Sequence, residues 1–121
     1  MNWVPQYYQV ETTYQGGLDA INRIFSSRYN IKGIKNLQDQ TGYITIRFIV
    51  NCRGGTGRFR MYQVDSAYQT FSFDAAISKK LLEITQSLAG WIPGTYKDKK
   101  VDSYYYLTFK IVRGELKGIT P

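Results

Sequence analysis

The run Gly42-Tyr43-Ile44-Thr45-Ile46-Arg47-Phe48-Ile49-Val50-Asn51 constrains the fold more than any other part of the chain. Ile44, Ile46, Phe48 and Val50 alternate with Tyr43, Thr45 and Arg47, which is the two-residue period of a strand with one buried face. Ile49 breaks the alternation, so the far face is expected to be partly covered near the strand's end. Gly54, Gly55 and Gly57 follow, and then a second run, Arg58-Phe59-Arg60-Met61-Tyr62-Gln63-Val64. Two β-rich runs joined by a Gly-rich turn predict an antiparallel hairpin. The rest of the chain must cover that hairpin and extend it.

Two stretches have the spacing to cover it. Leu18, Ile21, Ile24 and Phe25 follow Gly16-Gly17 at helical steps and predict a short amphipathic helix ending near Tyr29-Asn30. Phe73, Ile77, Leu81, Ile84 and Leu88 mark the main helix, with Ser72 as the expected N-cap and Gly90 and Pro93 as its stop. Trp91-Ile92-Pro93-Gly94 is expected to fold back on the core, and Tyr96 to Lys100 to form a charged turn. Val101 to Val112 reads as a long final strand, with Tyr105, Leu107, Phe109 and Ile111 on one face and Tyr104, Tyr106, Thr108 and Lys110 on the other. Residues 1–13 read as an extended arm, residues 14–113 as the domain, and residues 114–121 as a tail beyond Gly114. Ile31 to Thr41 and Asp65 to Ser72 read as connections. The order predicts an α+β fold, α-β-β-α-β: a three-stranded antiparallel sheet with two helices packed on one face and the final strand at an edge.

Chemistry is constrained mainly by what the chain lacks. It has no histidine, which removes the usual general base and nitrogen metal ligand. Its nine carboxylates, Glu11, Asp19, Asp39, Asp65, Asp74, Glu83, Asp98, Asp102 and Glu115, show no spacing that suggests a catalytic pair. Cys52 is the single cysteine, so no internal disulfide or multi-cysteine metal site is expected; it reads as a small buried or half-buried hydrophobe. The Gly54–Gly57 run opens no helix and is no phosphate loop. An enzyme is therefore not expected, nor a metal or cofactor. No run approaches the roughly 18 apolar residues of a membrane helix, and the residues after Met1 lack a signal-peptide core. A cytosolic chain and a chain without its natural leader or anchor both fit.

A net charge of +7 and 11 tyrosines favour an anionic or a protein partner, although a basic surface also serves solubility. Arg58-Phe59-Arg60-Met61-Tyr62 interleaves basic and aromatic residues as a base-stacking strand would. It lacks the glycine spacing of the RNA-recognition strand, and nucleic acid is not the expected partner. What remains is a binding module that accepts an extended peptide as an added strand.

Several local patterns then resemble one family. Gly42-Tyr-Ile-Thr-Ile-Arg-Phe-Ile-Val-Asn51 with its Gly-rich turn resembles the "G-x-V-x-V-x-F-x-V" strand and turn of TonB C-terminal domains. Phe73-Asp74-Ala75-Ala76-Ile77 is similar to the start of that family's main helix, Trp91-Ile-Pro-Gly94 to its "W-x-P-G" stop, and Val101 to Ile111 to its closing strand. Tyr14-Gln15-Gly16-Gly17 and the helix to Tyr29 resemble the "F-P-G-G…Y-P" lead-in of the Bacteroidetes-type members, with Gln15 and Asn30 where proline would stand and Asp98-Lys99-Lys100 in place of a Gly-containing turn. The resemblance covers roughly residues 14–113. It implies a non-enzymatic periplasmic domain of the cell envelope that docks the TonB box of an outer-membrane TonB-dependent transporter by strand addition along Tyr104, Tyr105, Tyr106, Leu107, Thr108 and Phe109. The inner-membrane helix and Pro-rich span of an energy transducer are not in these residues, which without them would bind but not transmit force; a fragment of a longer chain and a free-standing relative that only binds both fit. The alternative is a scaffolding envelope module, either a homodimer through the same edge or a basic face touching an anionic wall polymer such as peptidoglycan.

Overall fold

The structure, a computed structural model, describes residues 3–121. In chain order it places α1 at Tyr7–Val10, β1 at Thr13–Tyr14, α2 at Gly17–Arg28, a 3₁₀ turn at Leu37–Asp39, β2 at Gly42–Val50 and β3 at Thr56–Asp65. Then follow α3 at Ala75–Ser87, β4 at Trp91–Ile92, β5 at Gly94–Tyr96, β6 at Lys99–Val101, β7 at Ser103–Val112 and β8 at Glu115–Thr120. The class is α+β, built on an antiparallel sheet.

Among the described residues the main sheet has four strands, ordered β3-β2-β7-β8, not three. The extra strand is the expected tail. Arg113 and Gly114 both take positive φ, 50° and 81°, so the chain turns back after β7 in two residues. Glu115–Thr120 then pairs with β7 from Val112↔Glu115 to Thr108↔Thr120, with one irregularity between Lys110 and Ile111. Gly114 is therefore the second residue of a hairpin turn, not the end of the fold, and β7 is an interior strand, not an edge.

The alternation along β2 is realised in full: Ile44, Ile46, Phe48 and Val50 are buried, while Tyr43, Thr45, Arg47 and Ile49 are half-buried on the other face. β7 repeats the pattern with Tyr105, Leu107, Phe109 and Ile111 inside. Ile21 and Phe25 of α2 and Ile77, Leu81 and Ile84 of α3 cover this one face and join a single core with it. Among the described residues no helix covers the other face of the sheet.

The ends of the main helix follow from local chemistry. Asp74, not Ser72, is the N-cap: its carboxylate accepts the Ala76 N–H at 2.8 Å. Phe73 stays outside the helix and buries its ring, 4.9 Å from Phe71. Trp91 folds back as expected, pairing with Tyr14 through the β1–β4 ladder and packing among Tyr14, Phe48 and Tyr105. At Gly94 a Cβ would collide with the Val10 side chain and carbonyl; glycine there lets the N-terminal segment lie against β5. That segment is no simple arm, since it holds a helical turn and buries Val10 and Thr12. Residues 1 and 2 of the expected arm lie outside the described residues. Cys52 is exposed in the β2–β3 turn, against expectation, because the turn projects past the core; its N–H donates to Asp102 Oδ1 at 2.9 Å.

Tyr29 locks the new hairpin to α2. Its hydroxyl donates to the Gly114 carbonyl at 2.8 Å, and burial pushes its pKa up to about 12 from 10.0. The neutral phenol is the form favoured on folding, so its contribution is complete below pH 10 and is lost as pH rises toward 12. Tyr29→Phe is expected to cost about 1 kcal/mol in urea unfolding at pH 7. An ultraviolet titration should show the variant losing a late phenol ionisation; an unchanged late phase would overturn the assignment.

Candidate functional site

The six residues expected to form the docking edge lie on β7 and split between its faces. Tyr105, Leu107 and Phe109 point into the core, while Tyr104, Tyr106 and Thr108 are half-buried on the uncovered face. Burial pushes the Tyr105 phenol above its ordinary pKa, and neighbouring Tyr7, its ring 4.6 Å away, adds to the shift. These are the marks of a packing residue.

The main chain of β7 is engaged on both flanks. One flank pairs with β2 from Ser103 to Ile111. On the other, the Tyr104 N–H donates to the Pro5 carbonyl at 2.9 Å. Because main-chain groups of a strand alternate in direction, Tyr106, Thr108 and Lys110 also present theirs to this flank. Thr108 and Lys110 meet Thr120 and Gly118 of β8. Tyr106 alone lies between the Pro5 contact and β8. The flank expected to receive a partner strand is thus filled by the chain's own segments, which is the correction the fold makes to the sequence reading.

The edges lie elsewhere, at β8 and at β3, which end the strand order. β3 pairs with β2 on one side and, among the described residues, has no strand on the other. Its far end is closed: the Asp65 N–H donates to the Gln69 carbonyl at 2.9 Å and the Gln63 carbonyl accepts from Phe71 at 3.2 Å. Those bonds show that odd-numbered residues there direct their main-chain groups outward. Met61 and Phe59 come next in that series, and the Phe59 carbonyl takes only a long 3.5 Å contact from the Arg60 guanidinium. Their side chains still turn inward and pack against the core, which leaves the edge rigid.

The uncovered face carries charge and rings together. Arg47 stands opposite Arg60 on β3 and Tyr106 on β7, and its guanidinium lies over the Tyr104 ring at 5.0 Å. Thr45 and Thr108 share a hydroxyl hydrogen bond at 3.0 Å. Tyr43 stacks on Tyr68 at 5.5 Å with an interplanar angle of 4°. A separate groove of about 580 Å³ runs between the end of α2, residues 30–37 and the β7–β8 turn, with Ile31, Ile34, Leu37 and Leu116 in its wall. None of the six expected residues lines it.

Among the described residues no three His, Cys, Asp or Glu side chains come together as a metal site would need, and no helix is long and apolar enough to cross a membrane. Comparison of the chain with protein-family models, with curated proteins and with solved structures found no match in any of the three.

The edge at Phe59 and Met61 and the Arg47–Arg60 juxtaposition were not read from the sequence. Both depend on the β2–β3 register, and that register shifts between Arg47 and Ile49. The available signal was Gly57, since a glycine inside a strand pattern marks a bulge; Arg58 after it takes φ 54°, and residues 58 and 59 of β3 stand against Phe48 alone on β2.

Proposed function

We propose that the chain is a non-enzymatic protein-binding domain that takes an extended segment of a partner as an added strand along the outer edge of β3. The observation that supports this is the row of outward main-chain groups at Phe59 and Met61 on a ten-residue strand closed only at its far end. The TonB-like motifs supply the partner class: the segment preceding the plug of an outer-membrane TonB-dependent transporter, met in the cell envelope. The partner strand supplies main-chain pairing, and acidic side chains in it are favoured by Arg58 and Arg60, both exposed beside the edge. The same arginines oppose pairing of β3 with a second copy, since like charges facing across a ladder weaken it. A receptor for a different chain therefore fits this edge better than a homodimer does.

An amide NMR titration with plug-leader peptides tests the reading. Shifts centred on the Phe59 and Met61 amides are expected, and silence on both sheet flanks would sink it. Met61→Pro removes an outward N–H that β2 does not use, a substitution an edge strand tolerates. It is expected to weaken peptide binding at least ~10-fold, about one lost hydrogen bond plus a clash, with the amide spectrum of β2 and β7 preserved. Unchanged affinity in Met61→Pro would rule out β3 as the dock.

A further inference from the structure

Arg47 and Arg60 face each other across the β2–β3 ladder on the side of the sheet that neither α2 nor α3 covers. Like charges in that relation weaken a strand pair, so an anion bound between them would strengthen it. The ion pairs among the described residues are Lys80–Glu83 and Lys117–Glu115, and neither reaches this row. Arg47 also has its Nε buried without a hydrogen-bond partner while the guanidinium rests over Tyr104. Beside it run Tyr106 on the same cross-strand row and the bonded hydroxyls of Thr45 and Thr108, with Thr120 next in register. Tyr62, 51% exposed, lies across from Thr45.

We propose that this face is a docking surface for an acidic polysaccharide. Arg60 offers its planar fork for a carboxylate, and Arg47, its Nε buried, the terminal nitrogens of its guanidinium, so a polymer with carboxylates spaced along it neutralises both. Tyr62 and Tyr106 offer half-open rings against which the apolar faces of sugar rings pack. The threonine row that continues from Tyr62, beside the row of Tyr106, both donates and accepts, as sugar hydroxyls require. Single-stranded nucleic acid is also anionic and ring-bearing, but its bases need free aromatic faces. Here Tyr43 has one face against Tyr68 and Tyr104 has one under Arg47, which leaves Tyr62 on β3 and Tyr106 on β7, two rings two strands apart rather than a run for successive bases. Charge complementarity and hydroxyl chemistry together favour the glycan. The surface shares Arg60 with the β3 edge but not the outward main-chain groups of Phe59 and Met61, so Met61→Pro, which weakens peptide docking, should leave glycan binding within about twofold.

The test is calorimetric titration of the full chain with polygalacturonate, dextran and an oligothymidylate, at low and moderate salt. Binding to polygalacturonate that weakens with salt, with none to dextran, is expected. Arg47→Gln/Arg60→Gln should weaken it at least tenfold. Lys99→Gln/Lys100→Gln, which removes the same charge from the exposed β6 strand, should leave it within about twofold. Arg60→Gln alone, at an exposed position that folding does not depend on, should weaken it about threefold. Equal losses in the two double variants would reduce the effect to net charge and overturn the proposal. So would tighter binding of the oligothymidylate, or no binding of polygalacturonate.

Discussion

Phe109→Ala is expected to lower the unfolding free energy by about 3–5 kcal/mol, the cost of removing a large ring from a site that cannot collapse around the void. Phe109 is fully buried at the middle of β7, opposite Ile44 of β2 on one side and Ile119 of β8 on the other. Its ring lies 4.9 Å from that of Phe25, tilted by 45°. One side chain therefore ties the hairpin, the closing strand, the last strand and α2 together. Those neighbours are held by their own ladders and cannot all move inward. Domains of this size are stable by roughly 5–15 kcal/mol, so the loss is at least about a fifth of the total. Urea unfolding should show the midpoint falling with the slope unchanged. Thr108→Ala, one residue away on the uncovered face, loses only a shared hydroxyl bond to Thr45 and is expected to cost about 1 kcal/mol. If Phe109→Ala costs no more than Thr108→Ala, the core is not centred where these contacts place it.

The contrast between those two neighbours is legible in the amino-acid sequence alone. Alternation in residues 42–50 and 103–112 separates inward from outward side chains, and the inward set is the core observed. The two covering helices are legible for the same reason, since Ile21 and Phe25, and Ile77, Leu81 and Ile84, recur at helical steps on faces that must be buried. Strand order and edges are not. Glu115-Leu116-Lys117-Gly118-Ile119-Thr120 alternates weakly, because Lys117 is an extra residue between the pairs Ile111↔Leu116 and Lys110↔Gly118, which sets the inward Leu116 and Ile119 three residues apart. Arg113-Gly114 is not among the strong hairpin dipeptides, although both residues take the left-handed backbone a two-residue turn needs. A glycine there reads as a stop when the residues after it are not seen to bury anything. Yet Ile119 is buried and Leu116 partly so. Whether β7 is open depends on that one turn: with the tail unpaired β7 is an edge, and with it paired β8 takes that place, while β3 is the other edge either way.

Ile119→Asp turns this dependence into a measurement. A carboxylate at that position would sit against Phe109 and cannot stay charged in the core without a partner. The response of least cost is release of β8, whose remaining inward anchor, Leu116, is only half-buried. Loss of a buried isoleucine and its strand is expected to remove about 2–5 kcal/mol, with the rest of the sheet still closed by the β2–β7 ladder. Hydrogen exchange would then show an alternating pattern along β7. The amides of Thr108 and Lys110, which face β8, should lose protection, while those of Leu107, Phe109 and Ile111, which face β2, should keep it. Uniform loss would mean global unfolding, and no loss would mean that β8 does not depend on Ile119. Lys117→Ala, at the exposed Glu115 ion pair, should leave the pattern intact, because surface pairs contribute about 0–1 kcal/mol. The same variant separates the two places a partner strand can add. If plug-leader peptides shift Phe59 and Met61 in both proteins, the dock is the edge of β3. If they shift residues 103–112 only once β8 is released, the dock is the flank that residues 115–120 cover, and a partner must displace the chain's own strand to reach it.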